Sequence, residues 1–229
     1  LSDAEADATA SYNDIYIDMG DGDNDIFVDV AVNATAVATA DWASASAEYY
    51  YNEMDISTGS GIDTIDINIA AKAQATGESA TEIYAQVTSN DITVDAGDGD
   101  NDIALSMSAG IQALATYEVS GEAELVYNDI YLYGGSGDDT IAIDLLAAVQ
   151  MTGSSVNWAE AEIEDNDISI DAGDGDNDVS VMLDASFAAL ATDENISYVT
   201  ADMTYNDIYV TAGAGADTIS IGLLASAQV

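Results

Sequence analysis

Six short turns concentrate the side chains of this sequence that could do chemistry. Three turns read GDGDND, at residues 20–25, 97–102 and 173–178, and the other three read GSGIDT, GSGDDT and GAGADT. Glycine tolerates positive φ, so successive carbonyl oxygens can point into one concavity, and aspartate adds a charged oxygen on a short side chain. Six to eight oxygen donors are what a hard divalent cation requires. The turns therefore predict cation binding.

The charge of the whole chain narrows the classes of partner. The sequence has 44 acidic residues, one lysine (Lys72), no arginine and no histidine, which gives a formal net charge of −43. Such a chain repels nucleic acid and anionic membrane surfaces, and we expect neither as a partner. No apolar run is long enough for a membrane span, so membrane insertion is not expected.

The same charge opposes folding, although 48% of the residues are hydrophobic and could form a core. One interpretation is an acidic surface solvated by monovalent salt, with acids spread over all exposed positions. The acids are instead enriched in the six turns, which hold 13 of the 44. We therefore expect bound cations to offset part of the charge at those turns.

An internal repeat of about 38 residues contains the turns. Each repeat starts at an asparagine that is followed by an acid and then by an apolar alternation. These asparagines are Asn13, Asn52, Asn90, Asn128, Asn166 and Asn206. Because the turn sequence alternates between two types, the larger unit is a pair of about 77 residues. The pattern predicts one repeat domain over residues 1–229.

The segments between the turns predict β-strands. After the first turn, Ile26, Val28, Val30 and Val32 alternate with polar or small residues, and the equivalent segments of the other repeats do the same. A period of two is typical of a strand and does not fit a helix. A second alternating run follows a polar turn. Its parity then breaks, because the next asparagine lies three residues after the last inward position, which predicts a corner or bulge.

Six amphipathic repeats that cannot bury their faces alone predict an all-β fold, a parallel β-solenoid of about six coils with stacked turns. The asparagines would then form a ladder along one corner. An antiparallel meander with two strands per repeat is the alternative. The solenoid is favoured because identical turns gain most when they stack in register.

The turns resemble the nonapeptide of the repeats-in-toxin (RTX) family of haemolysin-type calcium-binding proteins. GGSGDDTIA at residues 134–142 fits the pattern G-G-x-G-x-D-x-U-x, and TGSGIDTID and AGAGADTIS differ at the first glycine. The resemblance covers about nine residues of each repeat, and the GDGDND turns depart from it by placing asparagine at the aspartate position. It implies several Ca²⁺ ions along one edge of the solenoid. The expected ligands are Asp21, Asp23, Asn24, Asp25, Ser60, Asp63, Asp98, Asp100, Asn101, Asp102, Asp138, Asp139, Asp174, Asp176, Asn177, Asp178 and Asp217.

A second acidic column and a row of tyrosines are expected beside the corner. The acids that follow the asparagines, from Asp14 to Asp207, would stack and either bind further cations or splay into solvent. Tyrosines such as Tyr12 and Tyr127 would form surface pairs, or a strip that binds a cell-surface glycan.

The repeated site favours a structural role. We expect no enzyme, because cysteine, histidine and arginine are absent and a repeated site argues against one unique pocket. The leading hypothesis is a secreted, calcium-dependent structural repeat of a surface filament, matrix fibre, surface layer or adhesin stalk, assembled head-to-tail or continued in a longer chain. The alternatives are a calcium-driven folding and secretion module of a larger enzyme or toxin, and a module that binds glycan, mineral or ice.

Overall fold

The computed structural model describes residues 3–39 and 41–229, and its regular structure in these ranges consists of strands alone. In chain order the strands are β1 (Ala4–Ser11), β2 (Asp14–Asp18), β3 (Asp25–Val37), β4 (Trp42–Tyr50), β5 (Glu53–Ser57), β6 (Thr64–Gly77), β7 (Ser79–Thr88), β8 (Asp91–Asp95), β9 (Asp102–Ala115), β10 (Glu118–Val126), β11 (Asp129–Tyr133), β12 (Thr140–Glu164), β13 (Asp167–Asp171), β14 (Asp178–Ile196), β15 (Val199–Thr204), β16 (Asp207–Thr211) and β17 (Thr218–Gln228).

The predicted solenoid is confirmed, and the antiparallel alternative is wrong. A complete coil runs through a short strand, a glycine turn, a long strand, a polar bend and a return strand that ends at a corner. Each strand pairs in parallel with the equivalent strand of the next coil, about 38 residues along the chain. Stacking in this register places the same repeat position of every coil in one column.

The strands form three faces that belong to two sheets. The short strands make a six-stranded sheet in the order β16-β13-β11-β8-β5-β2. The long and return strands belong to one 11-stranded sheet, because β12 continues around the polar bend from the long face into the return face. The glycine turns lie where the short strands pass into the long strands.

Columns of apolar side chains fill the interior. Ile26, Ile65, Ile103, Ile141 and Val179 are paired from coil to coil and are 5% exposed or less. Further along the long strands the inward residues become alanines, and the return strands are also rich in alanine, as in the column Ala47, Ala85, Ala123 and Ala161. Small side chains let the long and return strands pack closely, so the period-2 pattern in the sequence is the core of the molecule.

The corner explains the break in parity. The residue before each corner asparagine has positive φ, with values of 57° at Tyr12, 58° at Tyr127 and 50° at Asp165. One residue in the left-handed region turns the chain from the return strand into the next short strand. Four of these six residues are tyrosines, which adopt this conformation less readily than glycine or asparagine.

The asparagine ladder is confirmed. Asn90 donates both its backbone N–H and its side-chain amide to Oδ1 of Asn128, at 3.2 and 2.9 Å, and Asn128 does the same to Asn166. The amide of Asn128 also donates to the carbonyl of Val87, at 3.0 Å. The central asparagines are at most 4% exposed, so their polar groups are satisfied by the ladder and the adjacent backbone.

Candidate metal centre: the stacked glycine turns

The six glycine turns stack in contact along one edge of the solenoid. Gly99 has φ of 138°, and a Cβ built on it would lie 1.6 Å from the carbonyl oxygen of Gly61 in the neighbouring coil. The backbone N–H of Gly99 donates to the carbonyl of Ser136 in the coil on the other side, at 2.7 Å. A side chain at this position would force neighbouring coils apart. Glycine is therefore required here for the close approach as well as for its conformation.

The turn acids of the GDGDND copies point outward and bind the next coil. Oδ1 of Asp21 accepts the backbone N–H of Ser60 and Oδ1 of Asp23 accepts that of Ile62, each at 3.0 Å. In the last pair of turns, Asp174 and Asp176 accept the backbone N–H groups of Ala214 and Ala216. These carboxylates are exposed, and each has one fixed hydrogen bond between coils.

Alternation of the two turn types separates like charges. Asp25, Asp102 and Asp178 begin long strands and are paired with Thr64 and Thr140 of the intervening coils. An acid at this position is thus about 9.6 Å from the next one, two strand spacings away, which is close to the Debye length at 0.1 M salt. The pairing of coils seen in the sequence thus separates like charges at this position, whereas on the outer side Asp138 lies one coil from both Asp100 and Asp176.

A third column lies inside the turn. It consists of Asn24, Asp63, Asn101, Asp139, Asn177 and Asp217. Oδ1 of each residue after the first accepts the backbone N–H of its counterpart in the preceding coil, at 2.7–3.1 Å. Asp63 and Asp139 are 0% exposed, and Asn101 and Asn177 are at most 2% exposed. We call this column the inner ladder.

Asparagine and aspartate make different contacts within the inner ladder. The side-chain amide of Asn101 donates to the carbonyls of Gly97, Gly99 and Gly134, at 3.3, 3.0 and 3.0 Å. The equivalent oxygen atoms, Oδ2 of Asp63 and Oδ2 of Asp139, are buried and have no hydrogen-bond partner. Burial raises the pKa of Asp139 to about 6, because its charged form has lost water.

All the ligands expected from the sequence lie along this edge, but they do not form one set. The acids of the GDGDND turns, together with Ser60 and Asp138, are exposed on its outer side, and the inner ladder is enclosed. The sequence contains a signal for this division. Ile26 and Ile65 are predicted to point inward, and residues two positions apart in a strand share a face. Asn24 and Asp63, two residues earlier, are therefore predicted to point inward as well.

The acids after the corner asparagines also stack as expected, in the column Asp14, Glu53, Asp91, Asp129, Asp167 and Asp207. Partial burial, followed by the charges of Asp167 and Asp91, raises the pKa of Asp129.

A further acidic cluster on the return strands was missed in the sequence. Carboxylate oxygens of Glu122, Glu124 and Glu162 lie within 4.8 Å of one another. Burial, the largest cause, raises the pKa of Glu122 to about 9 and that of Glu162 to about 8. The neighbouring carboxylates add to both shifts. The motifs GEAELV and AEAEIE, one repeat apart, were the available signal, because the register pairs Glu122 with Glu160 and Glu124 with Glu162.

Comparisons of the chain with protein-family models, with curated proteins and with solved structures find no match. Among the residues that the structure describes, no helix is long and apolar enough to cross a membrane.

Proposed function

We propose that the chain is a calcium-dependent structural repeat protein that works outside the cell, as part of a surface filament, matrix fibre, surface layer or adhesin stalk. The observation that carries the proposal is the pair of buried, unpartnered carboxylate oxygens on Asp63 and Asp139, inside a stack of glycine turns. An isolated buried carboxylate is costly unless a cation or a donor satisfies it.

The donors present fit a hard cation. Carboxylate, carbonyl and hydroxyl oxygens surround the turns, and the sequence supplies neither thiolate nor imidazole, because it has no cysteine and no histidine. The residues that would hold Ca²⁺ are the turn carbonyls, the outer acids and the aspartates of the inner ladder. A bound ion supplies positive charge between coils that otherwise carry acids on both sides.

An extracellular location suits calcium sites of this kind. Calcium sites in extracellular modules bind with dissociation constants of about 10⁻⁴–10⁻³ M, a range in which calcium outside cells keeps them occupied. A repeated site spread evenly over six coils suits a scaffold, because each coil is stabilised by its neighbours.

The end of the stack supports assembly with a further coil. In β17 the side chains that continue the apolar columns are uncovered, with Ile221 49% and Leu223 63% exposed. A further coil, from a second copy or from a longer chain, would cover them and extend the asparagine ladder. Unpaired parallel strands with apolar faces favour this kind of addition.

The test is a calcium titration of chelator-treated protein at low ionic strength, followed by far-UV circular dichroism and thermal melting. We expect calcium to raise the melting temperature strongly, since a ligand at 100 times its Kd stabilises the folded state by about 2.7 kcal/mol per site. Magnesium at the same ionic strength is the control, and it should act less because it demands octahedral geometry. An unchanged β-signal and melting temperature in chelator would contradict the proposal.

A further inference from the structure

The inner ladder is built from two residues of nearly the same shape that differ in one atom. In every rung after the first, Oδ1 accepts a backbone N–H from the preceding coil, and this holds equally for asparagine and for aspartate. The remaining side-chain atom is an NH₂ donor in Asn24, Asn101 and Asn177. It is an oxygen acceptor in Asp63, Asp139 and Asp217.

The asparagine rungs close their own turns. The amide of Asn24 donates to the carbonyls of Gly20 and Gly22, at 3.2 and 2.6 Å, and the amide of Asn177 donates to the carbonyls of Gly173 and Gly175. These are the carbonyl oxygens that a cation inside the turn would need. The donor and the cation would compete for the same lone pairs, so the amide takes the cation's role.

The aspartate rungs lack that donor. Oδ2 of Asp139 lies against Gly134, 2.7 Å from the place where a Cβ on that glycine would stand. Like Oδ2 of Asp63, it is buried and unpartnered. The shared register places it where the asparagine amide stands in the adjacent turns. The amide of Asn24 in the preceding coil donates to Oδ1 of Asp63 at 2.8 Å, but no donor reaches Oδ2, which remains an acceptor without a partner. A cation can bind buried oxygen atoms of this kind, whereas another hydrogen-bond acceptor cannot.

The turns next to the aspartate rungs carry more acids than the turns next to the asparagine rungs. The turns of Asp63 and Asp139 are each flanked on both sides by GDGDND turns, whose outer acids lie one coil away, about 4.8 Å along the stack. Cations at the aspartate rungs would therefore be shared with carboxylates above and below. Cations at the asparagine rungs would face turns with fewer acids.

We propose that Asp63 and Asp139 each hold one calcium ion inside the turn column and that the asparagine rungs hold none, so that the column binds one inner cation per pair of coils. This inference rests on the proposed function and refines it. The sequence pattern predicts calcium at all six turns, whereas the inner column would bind it only at the aspartate rungs. Asp217 lies in the last turn and is only partly buried, so the proposal concerns the two enclosed aspartates alone.

The matched variants exchange the two rung types. Asp139→Asn should bind one calcium ion fewer than the parent, melt at a higher temperature in chelator, and gain less from calcium. Asn101→Asp should bind one ion more and depend more on calcium. Bound calcium is counted by equilibrium dialysis with elemental analysis, and melting is measured in chelator and in saturating calcium. The double variant Asp63→Asn with Asp139→Asn should lose both inner ions.

The outcomes separate this inference from the proposed function. If the parent chain binds calcium and Asp139→Asn keeps both the ion count and the calcium-induced shift in melting temperature, the inference is wrong and the proposed function stands. If the parent chain binds no calcium, both are wrong. Should Asn101→Asp fail to fold, the aspartate-to-asparagine variants decide alone, because they introduce an amide that three turns already carry.

Discussion

At the scale of single residues, asparagine side chains have two hydrogen-bonding roles in this molecule. At the corner it donates to the asparagine of the next coil and to a return-strand carbonyl. In the turn it donates to the carbonyls of its own glycines. Both positions are buried, so each amide substitutes for water at backbone groups that would otherwise be unsatisfied. The side chain is structural in both columns.

Replacing Asn128 by leucine should destabilise the protein by roughly 1–3 kcal/mol, because the backbone groups and amides of two neighbouring coils lose their partners inside the corner. The measurement is chemical denaturation in saturating calcium. Asn68→Leu is the matched control, since the amide of Asn68 makes one exposed bond, to Asp29 at 2.8 Å, and its loss should change stability little. Equal effects at the two positions would show that the ladder is not structural.

At the scale of elements, the return strands bring acidic side chains together outside the turns. Strands β10 and β12 pair Glu122 with Glu160 and Glu124 with Glu162, one strand spacing apart. The amide of Gln86 donates to Oε2 of Glu124 at 2.5 Å, which satisfies one carboxylate of the group. The carboxyls of Glu122, Glu160 and Glu162 lie close together on a partly buried surface, where a charge on one disfavours a charge on the next.

The raised pKa values give a pH dependence with a definite sign. A carboxyl whose pKa is higher in the folded state binds its proton more tightly there, so its contribution to stability is fully present below the ordinary value near 4.5 and is lost as pH rises. The loss should extend to about 8 for Glu162 and about 9 for Glu122. Without added calcium, the melting temperature should therefore fall between pH 5 and pH 9.

Glu122→Gln should reduce this fall and raise the melting temperature at pH 8 in chelator, because the amide is neutral at every pH and does not need to bind a proton to be buried without charge. Glu118→Gln is the control on the same strand, since Glu118 is exposed and is paired with Ser155. Thermal melts across the pH range decide the matter. A pH profile of Glu122→Gln that overlays the parent profile would mean that the cluster carries no strain.

Much of the fold could be predicted at the scale of elements because the information is repeated six times. The spacing of the corner asparagines and the period-2 runs indicate the coil, its strands and its stacking register. Two features could not be read as easily. The cluster around Glu122 depends on neighbours about 38 residues away, and the burial of Asp63 and Asp139 depends on how tightly glycines such as Gly99 bring the coils together.

The positive φ of the corner tyrosines was also not predicted. Single-residue patterns favour glycine or asparagine in the left-handed region, whereas Tyr12, Tyr51, Tyr127 and Tyr205 adopt it here. The rings of Tyr12 and Tyr51 stack at a centroid distance of 5.4 Å, and both are exposed. The regular stacking of coils fixes the corner, and the tertiary structure overrides the local preference.

At the scale of the whole molecule, the solenoid lines up acids that the sequence spaces far apart. In-register stacking produces acidic columns at the turns, after the corner asparagines and on the return strands of a chain with formal charge −43. Alternating turn types relieve part of this repulsion in the turn column. The central claim is that cations in the turns supply the rest, and that the turn column, unlike the asparagine corner, is held together by calcium.

Hydrogen exchange of the two edges, with calcium and in chelator, tests that claim most directly. Amide protons of the turn segment 135–140 are measured against those of the corner segment 126–130 in the same coil, which serves as the internal reference. We predict that removing calcium accelerates exchange in the turn segment first and by more than tenfold, equivalent to over about 1.4 kcal/mol of local stability, while the corner follows only when the whole coil opens. Equal protection of the turn segment in calcium and in chelator would contradict the account.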